Sequence, residues 1–158
     1  MERLIFVAGD ESQTARLGAA LAEAIPDGTV VSLCGTLGAG KTRLVQAIAE
    51  ADGVDRRSVV SPTFVLLQEY QGRRPIHHFD AYRLRDEDEF LGLGPEEYFE
   101  SGGISLIEWA DRVESCLPAE RLDVRIEVTG DTARRFEIEG HGDRCAMAVR
   151  RLKELLGS

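Results

Sequence analysis

The eight residues Gly35-Thr36-Leu37-Gly38-Ala39-Gly40-Lys41-Thr42 constrain this chain more than any other stretch. They fit G-x-x-x-x-G-K-[ST] without a mismatch. Glycines let such a loop curl so that successive backbone N–H groups point at one phosphate. A helix opening at Lys41 adds its unpaired N–H groups and the positive end of its dipole. Lys41 then bridges β- and γ-phosphate oxygens, and the Thr42 hydroxyl is placed to ligate Mg²⁺. The motif has meaning only between a strand and a helix. Thr29 to Cys34 (TVVSLC) is a β-branched, apolar run, and Lys41 to about Ala51 has a helical pattern closed near Gly53.

The rest of the chain alternates in the same way. Leu4 to Ala8 reads as a strand. Asp10 or Ser12 caps a helix running to about Ile25, with Leu17, Leu21 and Ile25 on one face. Val59 to Tyr70 is an extended segment containing Pro62, and Pro75 to Tyr82 another strand. Asp86 to Ser101 is an acidic connector with helical pieces. Ile104 to Glu108 is a strand followed by a short helix to about Cys116. Leu122–Thr129 and Arg134–Glu139 alternate with period two around Gly130-Asp131, the pattern of an antiparallel hairpin, and the chain closes with a helix. This order predicts an α/β fold, a P-loop NTPase-type three-layer sandwich. Its sheet is expected to be mixed and mostly parallel, with an antiparallel edge hairpin. The 158 residues suit a single domain, 1–158.

A phosphate cradle needs a carboxylate at the end of a neighbouring strand to hold Mg²⁺, directly or through its water shell. Glu108 ends the apolar run Ile104 to Ile107, and Asp80 ends Ile76 to Phe79. The cleaner strand before Glu108 favours it slightly for the metal, and Asp80 is then free to act on water. With 28 acidic residues, each would read as a solvated strand-end carboxylate if the cradle were absent. Ser61-Pro62-Thr63-Phe64 lies between cradle and Asp80. Thr63 there either senses the γ-phosphate from a switch loop or belongs to a turn where Pro62 breaks a strand. His77 and His78 are adjacent in a strand and point to opposite faces, with no second ligand at zinc spacing. Trp109 reads first as a partly buried packing residue.

Composition excludes some partners. A net charge of −9 opposes direct, tight binding to nucleic acid, which rests on Lys and Arg neutralising phosphates. Of 19 basic residues only Lys41 and Lys153 are lysines, so Lys41 stands where a slim point charge is needed and a planar fork fits badly. Cys34, Cys116 and Cys145 form no C-x-x-C pair and read as reduced thiols. The run Leu4 to Ala8 is too short for a signal peptide, and no apolar run is long enough to span a bilayer. The expectation is a cytoplasmic protein with no membrane partner.

The ordered set LGAGKT, SPTF, HFDAYRL and IEW resembles the bacterial TsaE (YjeE) family, from Thr14-Ala-Arg-Leu-Gly18 to the C-terminal hairpin. The resemblance implies a small ATPase that binds ATP with Mg²⁺ and hydrolyses it slowly. It implies work on the TsaD–TsaB heterodimer in threonylcarbamoyladenosine modification of tRNA, with tRNA met only indirectly. By motif position it implies phosphate binding by Gly38, Ala39, Gly40, Lys41 and Thr42, with Arg43 in the wider nucleotide-binding set, and metal binding by Thr42 and Glu108. Lys41, Asp80, Glu108 and Thr63 become the catalytic set, Thr63 as γ-phosphate switch. Thr14 resembles the part that approaches adenine, Trp109 lies near the nucleotide, and Arg134 resembles a C-terminal arginine that contacts it. Three positions depart from the family pattern: Thr36 where Asp is usual, Arg43 for a second Thr, and Ala110 for Pro. The first removes a carboxylate beside the cradle, so a typical hydrolysis rate is not assumed.

Three rivals share parts of this pattern. A small-molecule kinase would need an acceptor pocket and a basic lid, for which Arg83 and Arg85 are candidates. A GTP switch usually selects guanine with an N-K-x-D loop, and this chain has no Asn. A non-enzymatic module would use ATP only to order a loop.

Overall fold

The computed structural model describes residues 1–36, 38–59 and 66–157. Thr63 and the rest of the SPTF motif lie outside the described residues. The elements are β1 (Glu2–Ala8), α1 (Glu11–Ala24), β2 (Val30–Gly35), α2 (Lys41–Ala51), β3 (Leu67–Gln71), β4 (Pro75–Asp80), α3 (Glu87–Leu91), α4 (Pro95–Phe99), β5 (Ile104–Glu108), β6 (Arg121–Val128), β7 (Arg134–His141) and α5 (Asp143–Leu156), with 3₁₀ turns at Arg56–Ser58 and Ala110–Cys116.

The seven strands form one sheet in the order β1-β7-β6-β2-β5-β4-β3. Parallel pairing is confined to the centre, β6-β2-β5-β4. Both flanks are antiparallel, β1-β7-β6 on one side and β4-β3 on the other. The sheet is therefore mixed as expected, with its parallel and antiparallel pairings equal in number rather than mostly parallel. The β6–β7 hairpin forms but does not make the edge, because β1 pairs outside β7 in full register from Glu2 to Ala8. The reason is local. Leu4 and Ala8 are buried against the helices and Phe6 packs beside them, so a paired β1 buries a face that a free strand would expose.

Period two in the strands sorts the core into two layers. Val31, Leu33, Ile76, Ile104 and Leu106 join Leu17 and Leu21 of α1, Leu44 and Ile48 of α2, and Val149 and Leu152 of α5. Val30, Phe79 and Ile107 turn the other way, to Phe90 of α3 and Val113 of the 3₁₀ turn. Helices thus cover both faces of the central strands, giving the three layers. α1 and α2 approach so closely that a Cβ on Gly18 would stand 2.3 Å from that of Ala47. No helix among the described residues is long and apolar enough to cross a membrane. Cys34, Cys116 and Cys145 are free thiols.

Candidate nucleotide and metal site

The site forms where β2, β4 and β5 run out in the same direction. β2 leads into the cradle and α2 begins at Lys41. Its N-cap is Gly40, at φ 108°, a left-handed conformation that side-chain-bearing residues rarely adopt. Gly38 is likewise at φ 78°. Gly40 offers no side-chain cap, and the first turn of α2 holds no acidic residue. The donors at this helix start are left for an anion. α1 shows the opposite arrangement: the Asp10 carboxylate accepts from Gln13 N–H at 3.0 Å, and Glu11 follows it.

Lys41 is only 5% exposed. Its Nζ donates to the carbonyls of Gly35 (2.7 Å) and Thr36 (2.9 Å) and lies 3.9 Å from the centre of the Trp109 ring. Burial lowers its pKa, and the nearby Glu108 opposes that shift. Trp109 is the one non-glycine residue with positive φ (58°) among the described residues, and its ring rests on Tyr82 at 4.8 Å. Backbone held in this region costs energy that surrounding packing must supply. Trp109 is therefore both a packing residue and a wall of the site.

Parallel register sets Asp80 directly beside Glu108. Thr42 Oγ1 lies 2.9 Å from both carboxylate oxygens of Glu108, so the two expected metal ligands already touch. Asp80 instead accepts the Tyr82 N–H at 2.9 Å, and burial raises its pKa. The residues fit Mg²⁺, a hard cation that takes a hydroxyl and a carboxylate and shares the rest of its shell with water and phosphate. Among the described residues no group of three His, Cys, Asp or Glu could hold a metal ion.

Two adjoining cavities complete the site. One of about 210 Å³ is lined by Gly38, Gly40, Lys41, Thr42, Arg43, Glu108 and Trp109. The other, about 360 Å³, has Thr14, Ala39, Arg134 and Phe136 in its wall. Gly38, Gly40 and Arg43 line both. Arg43 Nε and Nη1 are buried without a hydrogen-bond partner, and the nearest acid, Glu11, is 3.9 Å from Nε. Orphaned guanidinium donors at the junction suit a phosphate group. Arg134 donates from Nε to the Ala39 carbonyl at 2.9 Å and from Nη1 to Gly130 and Ala133 carbonyls, so it ties the β6–β7 turn to the cradle. Arg83 and Arg85 line neither cavity, and Arg85 is paired with Glu89 at 2.9 Å.

Sequence reading passed over His78. It is fully buried, and its Nε2 lies 2.6 Å from Glu108 Oε2. Strand parity carried the signal: His78 and Asp80 are two apart on β4 and face the same side. His77 turns away, to Ser101 at 3.0 Å.

With this geometry in place, the chain can be set beside known proteins. The family model described as "Threonylcarbamoyl adenosine biosynthesis protein TsaE" matches residues 8–136. The chain belongs to the TsaE family. The "tRNA threonylcarbamoyladenosine biosynthesis protein TsaE" of Bacillus subtilis (strain 168) is 43% identical over 139 residues, covering 87% of this chain and 84% of that protein. Its namesake from Treponema pallidum (strain Nichols) is 36% identical over 132 residues, 84% and 97% of the two chains. The crystal structure of Bacillus subtilis YdiB superposes with a TM-score of 0.82 at 32% identity, covering 97% of this chain and 95% of that one. The TsaE match contains every site residue from Thr14 to Arg134 and ends before α5.

Proposed function

We propose that this TsaE-family chain is a Mg²⁺-dependent ATPase serving threonylcarbamoyladenosine modification of tRNA. It acts on the TsaD–TsaB heterodimer and meets tRNA only indirectly. The observation that carries the nucleotide reading is the uncapped start of α2 beside a buried Lys41 and a Thr42–Glu108 pair. The pathway reading is supported by the family match and by the names of its relatives.

In this reading the cradle amides and Lys41 bind the β- and γ-phosphates. Lys41 exchanges its carbonyl partners for phosphate oxygens, and the Trp109 ring limits where its ammonium can go. Arg43 turns Nε and Nη1, which make no hydrogen bond in the free chain, to the nucleotide. Thr42 and Glu108 hold Mg²⁺, which when bound draws charge from the phosphate oxygens. Asp80 stands beside Glu108 with one oxygen fixed by Tyr82 N–H and orients the attacking water. Thr14 and Phe136 line the wider cavity, which is the place for the adenine end. The net charge of −9 favours a protein partner over direct contact with tRNA.

The test is Mg²⁺-dependent ATP hydrolysis by wild type and Lys41→Ala, with and without purified TsaD–TsaB. Hydrolysis should rise with the partners and fall by about 10²–10³-fold in the variant. Hydrolysis that ignores the partners would remove the partner-gated reading and point to a small-molecule kinase.

A further inference from the structure

The buried side of Glu108 is held by a chain of side chains that the nucleotide chemistry does not require. Glu108 Oε2 meets His78 Nε2 at 2.6 Å, and the other ring nitrogen, Nδ1, lies 3.0 Å from the Tyr70 hydroxyl. That hydroxyl also lies 2.5 Å from Gln68 Oε1. Gln68 and Tyr70 sit on β3, the far edge strand, and His78 on β4. Burial pushes the Tyr70 pKa up to about 12, so the phenol keeps its proton.

Glu108 is 2% exposed, and its carboxylate meets the Thr42 hydroxyl and the His78 imidazole. A buried carboxylate that must present oxygens to a cation needs its rotamer fixed, or metal binding itself must supply the ordering. His78 pins the carboxylate from behind while Thr42 meets it from the front. The imidazole is itself pinned at both nitrogens.

We propose that His78 is a positioning residue for Glu108, and that Tyr70, by fixing the imidazole, makes metal affinity depend on strand β3. The inference rests on the nucleotide-site reading above. It assigns no proton transfer to His78. The relay orients the carboxylate and leaves nucleotide binding without metal untouched.

The probes are Mn²⁺ and the non-hydrolysed ATP analogue AMPPNP. Mn²⁺ affinity of the protein–AMPPNP complex is read by electron paramagnetic resonance. AMPPNP binding in EDTA is read from the single Trp, Trp109, which lines the cavity. His78→Phe keeps an aromatic ring and removes both nitrogens. It should weaken Mn²⁺ binding about 10–100-fold, as loss of an outer-shell partner typically does, with AMPPNP affinity in EDTA unchanged. His78→Gln restores an N–H within reach of Glu108 and should bind Mn²⁺ within about threefold of wild type, well short of the loss expected when an outer-shell contact is removed. Tyr70→Phe frees only Nδ1 and should fall between the two. Wild-type Mn²⁺ affinity in a folded His78→Phe would overturn the proposal, as would His78→Gln being as impaired as His78→Phe. If His78→Phe does not fold, Tyr70→Phe decides, and an unchanged Mn²⁺ affinity there overturns it. A wild type that binds neither AMPPNP nor Mn²⁺ would sink the nucleotide reading itself, and the proposal with it.

Discussion

The two ends of α2 are built on opposite principles. At the C-terminal end Asp52 is the cap residue, with its side chain 0% exposed. A carboxylate there faces the negative end of the helix dipole. Two arginines compensate it: Arg73 Nη2 and Arg74 Nε each donate at 3.0 Å. Arg74 goes on to the carbonyls of Ala22 (2.7 Å) and Ile25 (2.8 Å), closing the end of α1 as well. At the N-terminal end the positive dipole meets a glycine, no acid and a buried lysine. Glu108 beside it meets a hydroxyl and an imidazole, where Asp52 meets two guanidinium groups. The difference teaches how to read buried charge. Where every donor finds an acceptor within the chain, the network is a clasp. Where the helix start carries no acid and the carboxylate beside it meets only a hydroxyl and an imidazole, the network stays open on one side.

The largest effect expected from this contrast is on stability. Asp52→Ala leaves two arginines without their shared buried acid and should destabilise the fold by about 3–5 kcal/mol. Urea unfolding would measure it. AMPPNP affinity of the folded fraction should stay the same, and a large change would mean that the two ends of α2 are coupled. Glu108→Gln is the mirror experiment. The amide keeps an oxygen for Thr42, so unfolding should shift little. Mg²⁺-dependent hydrolysis should fall by about 10²-fold or more while AMPPNP still binds in EDTA. If this variant unfolded as readily as Asp52→Ala, Glu108 would be a structural acid and the contrast would collapse.

A smaller effect sharpens the comparison between helix starts. Asp10→Ala removes the α1 cap and should lower stability modestly. For a domain of this size that is a small drop in Tm, read by calorimetry. α2 has no such cap to lose, and its stabilisation should come from added nucleotide. A Tm rise with Mg²⁺–ATP of the same size in wild type and Asp10→Ala is the expected pattern.

Much of the open end was legible in the sequence, because its parts are local. The spacing of Gly35 to Thr42 and the strands ending at Asp80 and Glu108 specify backbone path and side-chain facing together. α2 spans Lys41–Ala51 and β5 spans Ile104–Glu108, as the residue pattern predicts. The closed end was not legible. Asp52, Arg73 and Arg74 are surface-type residues in turns, and nothing local says that two elements converge on them. His78 failed for a different reason. Its neighbours in sequence offer no ligand spacing, and its partner Glu108 lies 30 residues away, reached only through the β4–β5 register. β1 was legible as a strand but not as the edge, since its pairing with β7 spans nearly the whole chain.

The last and smallest effect concerns Asp80, which shares the open end with Glu108 and accepts from the Tyr82 N–H where Asp52 accepts from two arginines. Burial raises its pKa above the ordinary 3.8, with Tyr82 N–H opposing the shift. A folded-state pKa above the unfolded one means that the fold binds the proton more tightly. The resulting stabilisation is present below the unfolded value and lost as pH rises through the folded one. At neutral pH ionised Asp80 is therefore a net cost in the free protein. Asp80→Asn keeps an oxygen for Tyr82 N–H and should raise Tm at pH 7 in EDTA. That gain should shrink as pH falls into the ordinary carboxylate range. Asp52→Asn should show the reverse at pH 7, a lower Tm, because it weakens the pairing with two guanidinium groups that converge on one buried side chain. If both substitutions moved Tm in the same direction at pH 7, burial alone would govern the two acids, and arginine closure would not be what separates the ends of α2.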